Sequence, residues 1–278
     1  MTDDLMAKTG AQVPSGGTTT LKGTVQYDGT GFAGWQVQFQ GERTVQGALE
    51  MAMTKIAGVP VAVQGAGRTD SGVHALGQVI SCEWPGEPPA RLRHALSRML
   101  APEIRVTELS PAPQGFNARF WAKSKRYAYS LDLGREANPF AARYAWHVHH
   151  DLELDVIHRL LPAILGRHDF AGFQSAGSQM KTTVRTIFEA KLLPGAMIGP
   201  QGAPDLWRLE FYGDAFLYRM VRNLAGTLIE VARGRFPEEF FHECLASPGP
   251  FKGHCAPAHG LVLAEIDYGD MDGRGTEE

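Results

Sequence analysis

The chain is poor in cysteine. Cys82, Cys244 and Cys255, three in 278 residues, are too few and too scattered for a disulfide framework. No CxxC pair occurs, which argues against a zinc ribbon. No stretch approaches the roughly 18 apolar residues of a membrane span, and no charged-then-apolar leader opens the chain. Neither sign of charge dominates: 27 Lys+Arg stand against 30 Asp+Glu, a formal charge of −3. That balance excludes an indiscriminate polybasic nucleic-acid binder but is silent about local surfaces. The absences together predict a soluble cytoplasmic protein with free thiols and no contact with membrane. Apolar residues make up 44%, enough for a packed core. The length suits one large domain or two of roughly 100–200 residues.

The two ends are polar. Residues 1–20 read as a flexible arm, and 269–278 (GDMDGRGTEE) as an acidic flexible tail. Between them LKGTVQY (21–27) reads as a strand with Leu21, Gly23, Val25 and Tyr27 on one face. Thr44 is an N-cap candidate and Gly58 a stop, so a helix is expected over 44–57 with Val45, Leu49, Ala52 and Ile56 as its apolar stripe. Strands near 61–65 and 77–82, a helix over 90–100 carrying Leu92, Leu96, Met99 and Leu100, and a strand over 104–109 complete a β-α-β-β-α-β order. The second half repeats it, with strands at 125–133, 184–193, 207–213 and 261–267 and helices at 152–165, 216–233 and near 238–246. The expected fold is α+β. Two ferredoxin-like (split βαβ) lobes with mostly antiparallel sheets, 21–111 and 112–268, flank a central cleft.

Three stretches carry candidate chemistry. GAGRTDSGVHALGQV (65–79) packs Gly65, Gly67 and Gly72 around Arg68, Thr69 and Asp70, so the backbone can approach a ligand closely. It is neither a dinucleotide fingerprint nor a P-loop, and its plain alternative is a glycine-rich turn. FNARFWAKSKRYAY (116–129) interleaves Arg119, Lys123, Lys125 and Arg126 with Phe116, Phe120, Trp121, Tyr127 and Tyr129, and contains no acid. Bases stack on exposed aromatics and phosphates pair with cations; the alternative is a strand with one solvated and one core face. DAFLYRMVRNLAG (214–226) places Arg219 and Arg222 in an apolar helix, either at its surface or turned into the cleft toward a carboxylate. HVHH (147–150) and His254-Cys255 lack the partners of a metal site, and Ser71 with His74 is too little for a hydrolase triad.

Taken together with YDGTGFAGWQVQ (27–38) and APAHGLVL (256–263), these blocks resemble the tRNA pseudouridine synthase A family from about Gly23 to Tyr268. The resemblance implies an isomerase that converts uridines 38, 39 and 40 of the tRNA anticodon stem-loop to pseudouridine. It implies a homodimer that needs no metal or organic cofactor and carries tRNA across both subunits. By the same resemblance Asp70 is the catalytic aspartate and Arg68 the arginine that enters the RNA as the base flips out. Tyr127 packs against the target uracil, and Arg222 pairs with the catalytic carboxylate. RNA contacts are expected from Phe116, Asn117, Ala118, Arg119, Phe120, Lys123, Lys125, Arg126 and Lys181. Lys181 stands in Met180-Lys181-Thr182-Thr183, where the family often has an arginine; it keeps the charge without the guanidinium fork. The chief alternative is a catalytically inactive tRNA-binding or RNA-folding protein on the same fold. A more distant one is a metal hydrolase built on HVHH.

Overall fold

The computed structural model describes residues 17–38, 41–177 and 182–269. The first half runs β1 (Thr18–Tyr27), α1 (Val45–Ala57), β2 (Gln64–Gly65), β3 (His74–Pro85), α2 (Leu92–Leu100) and β4 (Ile104–Pro111). The second runs β5 (Ser124–Asp132), β6 (Trp146–His147), α3 (Leu154–Leu160), β7 (Gly166–Asp169), β8 (Val184–Pro194), β9 (Leu206–Gly213), α4 (Met220–Ala232), α5 (Glu238–Ala246) and β10 (Leu261–Asp267). The protein is a mixed α+β fold on a mostly antiparallel sheet.

All ten strands belong to one sheet, ordered β4-β1-β3-β10-β5-β9-β8-β7, with β2 beside β3 and β6 beside β5. One sheet thus spans both halves of the chain. β2 covers only Ser81 and Ile80 of β3, so the edge of β3 at His74 and Ala75 stays open. β10 closes it in parallel through Val262 and Leu263 and pairs antiparallel with β5 on its other side. An unpaired edge is thereby removed and the two halves become continuous. One hydrophobic cluster runs from Leu21 and Val25 through Tyr129 and Leu131 to Leu224 and Leu228.

Local rules account for the clearest elements. β1 alternates, burying Leu21, Gly23, Val25 and Tyr27. On α1 the Thr44 hydroxyl accepts from the Gly47 N–H at 3.2 Å, and Gly58 ends the helix at φ 73°. Other expectations shift. Thr18–Thr20 belong to β1, not to an arm. The strand at 61–65 contracts to two residues, and its partner begins at His74 rather than 77. Met99 is exposed, outside the α2 stripe. The helix over 152–165 ends at Leu160 and tightens into a 3₁₀ turn over Leu161–Ile164, where Pro162 has no N–H to continue it. The helix over 216–233 starts only at Met220. Lys181 and most of both polar ends lie outside the described residues.

Candidate active site

The 65–79 stretch leaves β2, crosses the surface and enters β3. Its backbone is held on several sides. The Ala66 N–H donates to Val79 O at 2.9 Å, and the Trp35 N–H donates to Thr69 O at 3.0 Å. The buried Gln78 amide clamps Gly67, accepting from its N–H at 3.2 Å and donating to its carbonyl at 2.6 Å. Tyr27 Oη and Thr69 Oγ1 share a buried hydrogen bond of 2.8 Å, and Ser71 Oγ donates to Phe32 O at 3.1 Å. The 27–38 block is thus the bed on which the loop rests. Gly34 makes the fit possible: at φ +106° a Cβ would stand 2.9 Å from Thr69 O. With the backbone fixed, the side chains of Arg68 and Asp70 remain outside these bonds. Arg68 is exposed and, among the described residues, has no hydrogen bond or ion pair.

Asp70 meets α4. Every residue of that helix is buried except Arg222, as befits a helix surrounded by core. Arg222 Nη1 donates to Asp70 Oδ2 at 2.7 Å, a charge-assisted bond between residues 152 positions apart. The arginine is fixed from behind. Its Nε donates to Ala256 O at 2.8 Å, and the Ala256 N–H donates to Arg222 O at 3.1 Å. Gly226 allows this, because a Cβ there would stand 2.0 Å from His254 O and push the 254–256 segment off the helix. A second arginine, Arg219, lies just outside α4 with its Nε 3.7 Å from the same carboxylate oxygen.

Tyr127 comes from β5 and stands edge-on to Phe216, ring centroids 5.1 Å apart. Burial pushes its phenol up, with Tyr27 and Asp70 as further causes, so the ring stays neutral. Lys125, two residues earlier on the same face, donates to Ala66 O at 2.8 Å. Burial lowers its ammonium to about 8, helped by Arg119 and Arg185. The arrangement is one anchored carboxylate, one guanidinium bonded to it and a neutral aromatic platform. It can act as a nucleophile or base toward a flat ring held against Tyr127.

The sequence model of the family described as "tRNA pseudouridine synthase" matches residues 24–120 and 162–269. The chain belongs to the tRNA pseudouridine synthase family. It is 41% identical over 247 residues to "tRNA pseudouridine synthase A" of Latilactobacillus sakei subsp. sakei (strain 23K), covering 88% of this chain and 97% of that protein. It is 41% identical over 252 residues to the protein of that name in Lacticaseibacillus casei (strain BL23), covering 90% and 100%. Among solved structures, a chain of the "archaeal box H/ACA sRNP Nop10-Cbf5 complex" is similar over 76% of this chain and 42% of its own, at 11% identity and a TM-score of 0.34. Pseudouridine has the composition of uridine, so a pseudouridine synthase is an isomerase.

In this member of the tRNA pseudouridine synthase family the 116–129 stretch divides. Phe116 and Ala118 are buried, Phe116 against Trp121 and Tyr268, so neither side chain is presented to a ligand. Asn117 Oδ1 accepts from the Arg119 and Phe120 N–H groups and is committed to its own turn. Arg126 lies on the sheet face opposite Lys125 and Tyr127, within 3.3–3.9 Å of Glu189, Glu210 and Glu265 and over the Tyr212 ring. At these four positions packing, turn formation and charge neutralisation occupy the side chains. Lys125 turns inward onto the loop. Arg119, Phe120 (77% exposed) and Lys123 remain on the surface. His147 Nε2 lies 2.9 Å from Gly134 O, and among the described residues no group of His, Cys, Asp or Glu is placed to hold a metal ion. Among the same residues no helix is long and apolar enough to cross a membrane. Gln78 and Ala256 escaped residue-by-residue reading. Arg219 did not: it is one of the two arginines read in an apolar helix, either at its surface or turned toward a carboxylate.

Proposed function

We propose that this protein isomerises uridine to pseudouridine at positions 38, 39 and 40 of the tRNA anticodon stem-loop, with Asp70 as the catalytic carboxylate. The 2.7 Å bond between Asp70 and Arg222, made across the junction of the two halves, carries the proposal. The reaction breaks N1–C1′, turns the uracil and joins C5 to C1′; N1 gains a proton and C5 gives one up. No oxidant or energy source enters. Asp70 attacks the sugar or the ring, or removes a proton from the sugar. A uridine in a stem must first leave its stack, at a cost of a few kcal/mol. Arg68, exposed beside Asp70, fills the vacated space. Tyr127 holds the uracil and shields it from water, which would otherwise release free base.

The two-lobed ferredoxin-like plan, the homodimer, cytoplasmic location and RNA contact by Arg119, Phe120, Lys123 and Lys181 belong to the same reading. Two arrangements support the plan: within each half the strands run in comparable order, β4-β1-β3 with β2 at its side and β10-β5-β9-β8. Mapping pseudouridine in tRNA from cells lacking this protein tests the activity and the positions together. The expected result is loss at 38–40 and restoration by the wild-type gene but not by Asp70→Ala. Unchanged modification at those positions would reject it. Restoration by Asp70→Ala would favour a tRNA-binding or RNA-folding role.

A further inference from the structure

Arg219 is the one non-glycine residue with positive φ among those described, at φ 59° and ψ 9°. Such a backbone is unfavourable for an L-residue with a long side chain and persists where surrounding structure imposes it, most often at functional sites. Here it interrupts the apparent helix of 216–233, letting Phe216 lie on Tyr127 while α4 starts at Met220. It also puts the Arg219 guanidinium at the mouth of the site, 3.7 Å from Asp70 Oδ2 and 5.0 Å from the Tyr218 ring.

The two arginines beside Asp70 are unequally committed. Arg222 is 12% exposed, hydrogen-bonded to Asp70 and backed by Ala256. Arg219 is 41% exposed and, among the described residues, its guanidinium makes no hydrogen bond. Asp70 is already held at 2.7 Å, so a second cation at longer range adds little to its placement. The N-cap position that Arg219 occupies has no side-chain cap bond, so the first turn of α4 is left without a side-chain acceptor. A planar fork of donors on a strained backbone, at the first turn of a helix and within reach of the carboxylate proposed to work on the target nucleotide, suits a backbone phosphate of that nucleotide.

We infer that Arg219 binds a backbone phosphate flanking the target uridine, exchanging its loose contact with Asp70 for that phosphate when RNA enters. This rests on the proposed reaction and adds to it the residue that sets the register of the flipped nucleotide. When the guanidinium leaves, Asp70 faces the nucleotide with Arg222 as its cation.

The test uses the full chain and an anticodon stem-loop RNA, with Arg219→Asn, which tolerates the left-handed backbone, and Arg219→Lys, which keeps the charge. Equilibrium binding, KM and kcat are measured against salt. Arg219→Asn should weaken Kd and raise KM on the order of tenfold, more than it lowers kcat. It should also reduce the salt slope by about 0.7–0.9, the release expected for one phosphate. Arg219→Lys should recover most of both. A single methylphosphonate beside the target uridine should weaken wild-type binding and add nothing to Arg219→Asn. An unchanged Kd and salt slope, or a loss confined to kcat, overturns the inference. The binding arm decides Arg219 even if the wild type fails to make pseudouridine, an outcome that would reject the proposed reaction instead.

Discussion

The stretches 65–79 and 116–129 both concentrate charged and unusual residues, and the fold uses them in opposite ways. In the first, neighbouring groups take up the backbone: Trp35, Gln78 and Lys125 bind Thr69, Gly67 and Ala66, while Arg68 and Asp70 project from a fixed frame. In the second, the side chains themselves are occupied: Phe116 is packed, Asn117 shapes a turn, Lys125 braces the loop and Arg126 is ringed by carboxylates. In the first stretch local bonds satisfy the backbone and leave Arg68 exposed and Asp70 free to bond across to α4. Density of suggestive residues is a poor guide, because a strand sends half of them to each face.

The strongest way to break this comparison is at Asp70. Arg222 is fixed by Ala256 as well as by the carboxylate, so Asp70→Asn should leave the fold and RNA affinity intact while removing the proposed reacting group. Turnover on anticodon stem-loop RNA should fall by about 10²–10⁴-fold, with Kd changed little. Equal turnover would mean that the fixed frame presents something other than chemistry at Asp70.

Much of the scaffold was legible in advance, because it follows from short-range rules. The alternation of 21–27, the Thr44 cap and the Gly58 stop each specify their element within a few residues. Failures came where tertiary contacts overrode the local pattern. Phe216, Met220 and Leu224 share a helical spacing, yet Phe216 packs on Tyr127 and Arg219 takes a left-handed backbone, delaying the helix by four residues. Gln78 reads as a polar residue in an apolar strand; its two hydrogen bonds to Gly67 exist only once the loop has folded over it. The pairing of Asp70 with Arg222 spans 152 positions, beyond any local rule: an arginine in an apolar helix suggests a carboxylate partner, but only resemblance to a family pointed to Asp70. The continuity of the sheet depends on two β10 residues reaching His74 and Ala75, which no spacing announces.

Lys125 offers an effect of intermediate size, on stability rather than turnover. Its ordinary value of 10.5 falls to about 8, first through burial and then through Arg119 and Arg185. Below pH 8 both folded and unfolded chains hold the proton, and the folded state bears the full cost of a buried cation. Between about 8 and 10.5 the unfolded chain still holds the proton that the folded chain has released. Stability therefore rises with pH across that window. Against Lys125→Met, which cannot titrate, the wild type should gain about 1–3 kcal/mol in urea melts from pH 7.5 to 10.5. A constant difference would show that the ammonium is solvated and that the brace on Ala66 is loose.

Arg126 should give the smallest change, and it sharpens the comparison because its neighbour in sequence behaves so differently. Its partners Glu189, Glu210 and Glu265 lie on the face turned away from Asp70. Partly exposed pairs of this kind contribute roughly 0–1 kcal/mol. Arg126→Gln should therefore shift the urea midpoint slightly and leave both RNA affinity and its salt slope at wild-type values. Phe120→Ala, which removes an exposed ring six residues away, should weaken binding by about 1–3 kcal/mol if bases stack there. If Arg126→Gln lowers the salt slope by one phosphate, the guanidinium exchanges its carboxylates for RNA. The division of this strand into a catalytic and a neutralised face would then fail.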